Sequence, residues 1–202
     1  MLKIARKAIT NAVMGFTESD REKIKKASEL EDVTDNLQGE ITKYIIELSQ
    51  NDLEHKQSEE IPVLIHNVND MERIGDHAQN VAELTKRSLS QELVFSKVAL
   101  KEINEMWTCL QGMLEDTEQT LGNNDTYSAE RVLQKEKKIN DLQKQFKDAH
   151  IKRLNKGKCD ISSGFIFTEL IDNMEKVGDR LTNIAQSVQN KMRWKTPDPS
   201  KT

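Results

Sequence analysis

The chain writes nearly the same ten residues twice. Met71 to Asn80 reads MERIGDHAQN, and Met174 to Asn183 reads MEKVGDRLTN. Glu72 and Glu175, Gly75 and Gly178, Asp76 and Asp179, and Asn80 and Asn183 each stand 103 residues apart. Met71/Met174, Arg73/Lys176, Ile74/Val177 and Ala82/Ala185 keep the same offset. Upstream, Glu31-Asp-Val-Thr-Asp35-Asn-Leu-Gln38 matches Glu136-Lys-Lys-Ile-Asn140-Asp-Leu-Gln143 at an offset of 105, which also aligns Ile9 with Leu114 and Phe16 with Leu121. A period of this length marks two copies of one supersecondary unit.

Apolar spacing makes that unit helical. Steps of three and four residues predict helices over 2–16 (Ile4, Ala5, Ala8, Ile9, Ala12, Phe16), from the cap candidates Thr17–Asp20 to about 52 (Leu30, Val33, Leu37, Ile41, Tyr44, Leu48), and over 62–88. Asn51–Glu60 reads as a loop, with Pro62 in the first turn of the third helix. Three further helices are expected over 92–121, 127–154 and 161–193, broken at Leu121–Asp125 and Asn155–Asp160. Trp107 and Trp194 read as packing anchors. Only 8 glycines and 3 prolines, and 4% aromatics against 32% charged residues, suit long helices and not strands. The expected fold is all-α: two tandem three-helix bundles over 1–90 and 91–194, with 195–202 as a disordered tail. The first helix of the first repeat is truncated relative to the fourth, so the chain is expected to be the C-terminal part of something longer.

Net charge narrows the function. The formal charge is −4 with both signs mixed, and no clustered basic face suits a nucleic-acid backbone. No window approaches 18 consecutive apolar residues, and residues 1–16 are too broken for a secretory signal, so a soluble, cytoplasmic chain is expected. Cys109 and Cys159 fit no metal spacing and read as ordinary reduced thiols. With no nucleophile–base pair, no phosphate-cradling glycine loop and no Glu-x-x-His, enzymatic chemistry is not expected.

The carboxylates carry the remaining signal. On a helix, residues i and i+4 lie about 6 Å apart on one stripe, so Glu72/Asp76, Glu175/Asp179 and Glu31/Asp35 each pair. Like charges there destabilise a helix by about 0.2–0.5 kcal/mol, which a cation between them reverses. Facing helices within each unit bring Glu31, Asp35, Glu72 and Asp76 together, and Glu136, Asn140, Glu175 and Asp179. Asn80 and Asn183, one turn further on, would orient a carboxylate or complete a ligand shell. All-oxygen ligands favour Mg, Mn, Ca or Fe over Zn or Cu. Gly75 and Gly178 suggest close helix approach or backbone access, because glycine inside a helix costs about 1 kcal/mol. His77 aligns with Arg180, and His55, His66 and His150 have no counterpart, so none is read as a ligand. An exposed acidic cluster can also bridge two chains through metal, as a homodimer.

Glu-Arg-x-Gly-Asp-x-Ala-x-Asn over Glu72 to Asn80 resembles the signature of the PhoU family, and Glu175 to Asn183 keeps it apart from Lys176 and Leu181. The resemblance spans about residues 1–193. It implies tandem three-helix bundles, multinuclear metal clusters, often iron, on the paired motifs, and non-enzymatic regulation of phosphate uptake at the inner face of the membrane. The truncated start and the wording of the motif make the chain most similar to the PhoU-like C-terminal domain of bacterial Na⁺/phosphate cotransporter proteins, where a membrane domain precedes it. The alternatives are a stand-alone PhoU regulator, acting on an ABC phosphate transporter and its histidine kinase, and a plain helical adaptor with solvated acidic faces. Asn140 departs from the family pattern and implies a weaker second cluster.

Overall fold

The computed structural model describes residues 1–51 and 53–190, so Trp194, the end of the last predicted helix and the expected tail at 195–202 lie outside the described residues. The described residues form six helices and no strand: α1 (Leu2–Glu18), α2 (Arg21–Ser49), α3 (His55–Ser90), α4 (Lys97–Asn123), α5 (Thr126–Asn155) and α6 (Ile161–Gln189). α1, α2 and α3 pack on one another, as do α4, α5 and α6. α3 lies along α6 and joins the two bundles, with a smaller α1–α4 contact. None of the helices is long and apolar enough to cross a membrane.

Short polar residues set the helix ends. Asp20, Asp125 and Asp160 accept backbone N–H bonds at the starts of α2, α5 and α6, and Ser96 does so for α4. Ser19 and Asn124 turn the chain in the left-handed region (φ 56° and 52°), and Gly157 does so after α5 (φ 63°). The expected loop at 51–60 is largely helix. Glu54 and Gln57 form a reciprocal capping box that starts α3 at His55, so Pro62 lies inside the helix and not in its first turn.

Small residues let α1 sit deep: Ala5, Ala8, Ile9, Ala12 and Val13 are fully buried. The predicted stripe on α2 is only partly covered, with Leu30, Leu37 and Ile41 half-buried. Ile24, Ala27, Thr34 and Ile45 are buried, whereas Val33, Tyr44 and Leu48 are exposed. Two causes act: Val33, beside the buried Thr34, turns to solvent, and the far part of α2, with Tyr44 and Leu48, outruns α1. At 1.5 Å per residue, α1's 17 residues cover about 25 Å, and α2's 29 extend well past that. In the second bundle α4 has 27 residues, and Ile103, Met106, Leu110, Met113 and Leu114 are fully buried against α5 and α6. Trp107 is buried, as expected of an anchor. Phe165 is exposed, with the Arg87 guanidinium 5.3 Å from its ring centre.

One buried carboxylate ties α4 to α5. Asp116 accepts from Arg131 Nε (3.0 Å) and Nη2 (2.7 Å) and from Lys135 Nζ (2.6 Å). Between bundles, Arg6 of α1 bridges Glu115 and Glu118 of α4, each at 2.9 Å.

Candidate functional site

The duplicated motif occupies matching places on α3 and α6. Within each copy, the basic residue after the glutamate closes the carboxylate pair. Arg73 reaches Glu72 Oε2 (3.6 Å) and Asp76 Oδ2 (2.7 Å), while Lys176 reaches Glu175 Oε2 (3.1 Å) and Asp179 Oδ2 (3.0 Å). Glu72 and Glu175 are the more buried of each pair.

The helix crossing in each bundle sits at the motif glycine. A Cβ on Gly75 would lie 3.4 Å from Thr34 Cβ and 3.6 Å from Glu31 Cγ. One on Gly178 would lie 3.6 Å from Ile139 Cγ2. Thr34 lies between Glu31 and Asp35, and Ile139 between Glu136 and Asn140, so α2 and α5 each present their pair beside the motif helix. Electrostatics agree for the first bundle. Burial pushes the Glu31 carboxyl up, reinforced by Asp32, Asp76, Asp35 and Glu83. Burial also raises Glu72, with Asp76 and Asp35 adding repulsion that Arg73 partly offsets.

In the second bundle, Asn140 Nδ2 donates to Glu136 Oε1 at 2.6 Å, and Asn140 Oδ1 is buried without a hydrogen bond. The buried Glu175 Oε2 lies near the Lys176 ammonium but accepts no hydrogen bond. The donors are hard oxygens, two of them (Asn140 Oδ1 and Glu175 Oε2) make no hydrogen bond, and the closing cations are half-exposed, a chemistry that suits an oxygen-seeking cation. Among the described residues, no three His, Cys, Asp or Glu side chains converge as a ready-made ligand set.

Neither glycine is crowded enough to exclude a methyl group. Gly178→Ala is therefore expected to stabilise the protein by about 1 kcal/mol through helix propensity, a rise of about 2–4 °C in a thermal melt. Gly75→Ala, tighter against Thr34, is expected to gain less.

Asn80 and Asn183 reach across to the opposite bundle. Asn183 Nδ2 and Arg180 Nη1 donate to Asp70 Oδ1 (3.3 and 3.4 Å), and Asn80 Nδ2 donates to Asn173 Oδ1 (3.3 Å). His77 Nδ1 lies 2.9 Å from the same Asn173 oxygen. Asn173 Nδ2 donates to Glu169 O, which makes Oδ1 the acceptor and His77 Nδ1 the protonated nitrogen. This α3–α6 seam follows the 103-residue offset: Asp70 with Asn173, His77 with Arg180, and Asn80 with Asn183. Sequence reasoning aligned His77 with Arg180 and stopped at their difference. The signal was that both are donors and that Asp70 and Asn173 are both acceptors.

Burial pushes the His77 imidazole below its ordinary value. Its charged form is disfavoured in the fold, so the stability it contributes is present above pH 6.5 and is lost as pH falls through 6.5 towards the folded value. Buried His150 adds in the same direction. Urea unfolding at pH 7.5 and 5.5 is expected to show this loss, and His77→Gln, which keeps a donor for Asn173, is expected to reduce it.

The fold is shared with solved structures. PhoU from Pseudomonas aeruginosa superposes with a TM-score of 0.87 at 21% identity, covering 93% of this chain and 90% of that one. PhoU from Streptococcus pneumoniae gives 0.79 at 17% identity, covering 93% and 88%. In sequence, the chain is 24% identical over 190 residues to a Thermotoga maritima protein named phosphate-specific transport system accessory protein PhoU homolog 1, covering 93% of this chain and 81% of that one. A Clostridium acetobutylicum protein named as a PhoU homolog of the same kind is 23% identical, covering 93% and 85%. The PhoU domain model matches residues 1–85 and again 103–188, and the chain belongs to the PhoU family.

Proposed function

We propose that this protein is a metal-binding accessory protein that regulates a phosphate transport system, acting without catalysis on a membrane transporter at the cytoplasmic face. The observation that carries the reading is the duplicated carboxylate pair on α3 and α6, each beside a second polar pair on α2 or α5. The names of the relatives supply the transport setting. Both are named accessory proteins of a phosphate-specific transport system, which supports the regulator reading over the cotransporter-domain reading.

Glu31, Asp35, Glu72 and Asp76 would hold one cluster, and Glu136, Asn140, Glu175 and Asp179 the other. The ions would be Fe, Mn, Mg or Ca. A cation there displaces Arg73 or Lys176 and ties α2 to α3 or α5 to α6. Asp76 is followed directly by His77, so tightening the first site bears on the seam between bundles. Adding a second chain's carboxylates to an exposed cluster would give a metal-bridged homodimer.

Deleting the gene in its host and following phosphate uptake tests the role. Uptake is expected to stay high when external phosphate rises, and wild-type protein is expected to restore the shut-off while Glu72→Gln/Asp76→Asn does not. Uptake that responds normally without the protein would contradict the reading.

A further inference from the structure

At the far end of the second bundle, away from the acidic stripes, a thiol and an imidazole meet. His150, near the end of α5, is only 7% exposed. Its ring lies against the Gly164 backbone of α6, where a Cβ would fall 2.4 Å from Cε1 and 2.5 Å from Nε2. Only glycine at 164 leaves this place for the ring. Phe167 packs on it with centroids 5.6 Å apart. So held, His150 Nδ1 lies 3.5 Å from Cys159 Sγ, whose other near acceptor is the Asp160 carbonyl, also at 3.5 Å.

Cys159 is partly exposed and lines a cavity of about 230 Å³ between the α3–α4 connection and the α5–α6 connection. Phe95 and Phe167 give that cavity apolar walls, and Arg153 and Lys158 give it positive charge. Arg153 is fixed by Glu102 (2.8 and 2.7 Å), whereas Lys158 makes no ion pair among the described residues. Cys109 is the control within the same chain: buried, with Sγ directed at the Lys135 carbonyl (3.7 Å) and no imidazole.

We propose that Cys159, with His150 as its base, is a modification site for a small anionic disulfide of the glutathione disulfide type. His150 removes the thiol proton as sulfur attacks one disulfide sulfur. The S–S bond breaks, a mixed disulfide forms on Cys159, and the proton passes from His150 to the departing thiolate. Lys158 faces the carboxylates of the reagent. The adduct fills the cavity and bears on Phe95, whose ring meets Phe16 of α1 at 4.9 Å, so the modification reaches the first bundle.

The groups facing His150 are Arg153 on its own helix, Glu102 from α4, and Cys159, Lys158 and Asp160 from the α5–α6 connection. Burial and Arg153 push His150 down, against Glu102, and burial pushes the Cys159 thiol up, against Arg153. Both groups are therefore neutral near pH 7, and the imidazole is free to accept a proton.

The test is the rate of Cys159 modification by glutathione disulfide in the full chain, followed by mass spectrometry from pH 6.5 to 8.5. A thiol without a base reacts as its thiolate, so the rate rises about tenfold per pH unit below the thiol's pKa. With His150 as base, the wild-type rate is expected to change less than about twofold between pH 7 and 8, and to exceed that of Cys109 by at least about tenfold. In His150→Gln, the tenfold-per-unit dependence is expected to return and the rate at pH 7 to fall about tenfold. The wild-type profile decides the matter even if that variant folds poorly. A wild-type rate that climbs tenfold per unit, or modification no faster than at Cys109, overturns the proposal.

Discussion

Replacing Asp116 with alanine is expected to destabilise the protein by about 2–3 kcal/mol. Breaking a fully buried charge network typically costs about 3–5 kcal/mol, because it strands a charge without water. Here Asp116 is buried, but Arg131 and Lys135 are about one-third exposed and regain hydration once released, which lowers the figure. For a chain of this size the melting temperature is expected to drop by about 5–10 °C. Adding Lys135→Met to Asp116→Ala removes one of the stranded cations and is expected to recover part of the loss. Arg6→Ala, by contrast, removes ion pairs from a one-third exposed guanidinium to the exposed Glu115 and the less exposed Glu118, and is expected to cost under about 1 kcal/mol. Thermal melts of the four proteins check the order.

A cation that fits the acidic stripes is expected to raise the melting temperature by about 5–10 °C when present at a hundred times its dissociation constant. That follows from about 2.7 kcal/mol of binding linkage at that excess. Glu72→Gln/Asp76→Asn is expected to behave differently with and without metal. Without metal, the variant relieves repulsion worth about 0.2–0.5 kcal/mol but loses Arg73's partners, so its stability stays close to wild type. With metal, most of the rise disappears. Protons compete for the same oxygens. Glu31 and Glu72 are pushed above the ordinary glutamate value, so binding weakens at a higher pH than ordinary glutamates would set as the solution is acidified. A metal-induced shift of equal size in the variant would place the cation elsewhere.

The fold was legible because its signals are periodic and repeated. The spacing of Ile103, Met106, Leu110, Met113 and Leu114 could belong only to a buried helix face, and the 103-residue offset fixed the number of units. Legibility failed where a single helix gave no hint of what covers it. The α2 stripe through Val33, Tyr44 and Leu48 has good helical spacing, but Val33 turns to solvent and α1 is too short to reach Tyr44 and Leu48. The α3 start failed for a local reason: Glu54 and Gln57 cap a helix through side chains in a stretch that composition alone reads as loop.

At the site, spacing along one helix was legible and pairing between helices was only half so. Alignment put Thr34 and Ile139 in corresponding places, and both do sit against the motif glycines. The side chains' choice of partner could not be read from spacing. Asn80 and Asn183 share the motif's stripe yet cross to Asn173 and Asp70, acceptors that the neighbouring helix of the other bundle supplies. The His150–Cys159 contact joins residues on opposite sides of a turn at Gly157, which spacing also does not reveal.

The most direct test is metal content. The protein is purified without chelator, equilibrated separately with iron, manganese, magnesium, calcium and zinc, and bound metal per chain is counted by elemental mass spectrometry beside Glu72→Gln/Asp76→Asn. The account predicts at least one iron, manganese, magnesium or calcium ion per wild-type chain and a clear reduction in the variant. Wild-type protein with no metal above background under any of these conditions would make the acidic stripes solvated helix faces and would contradict the central claim.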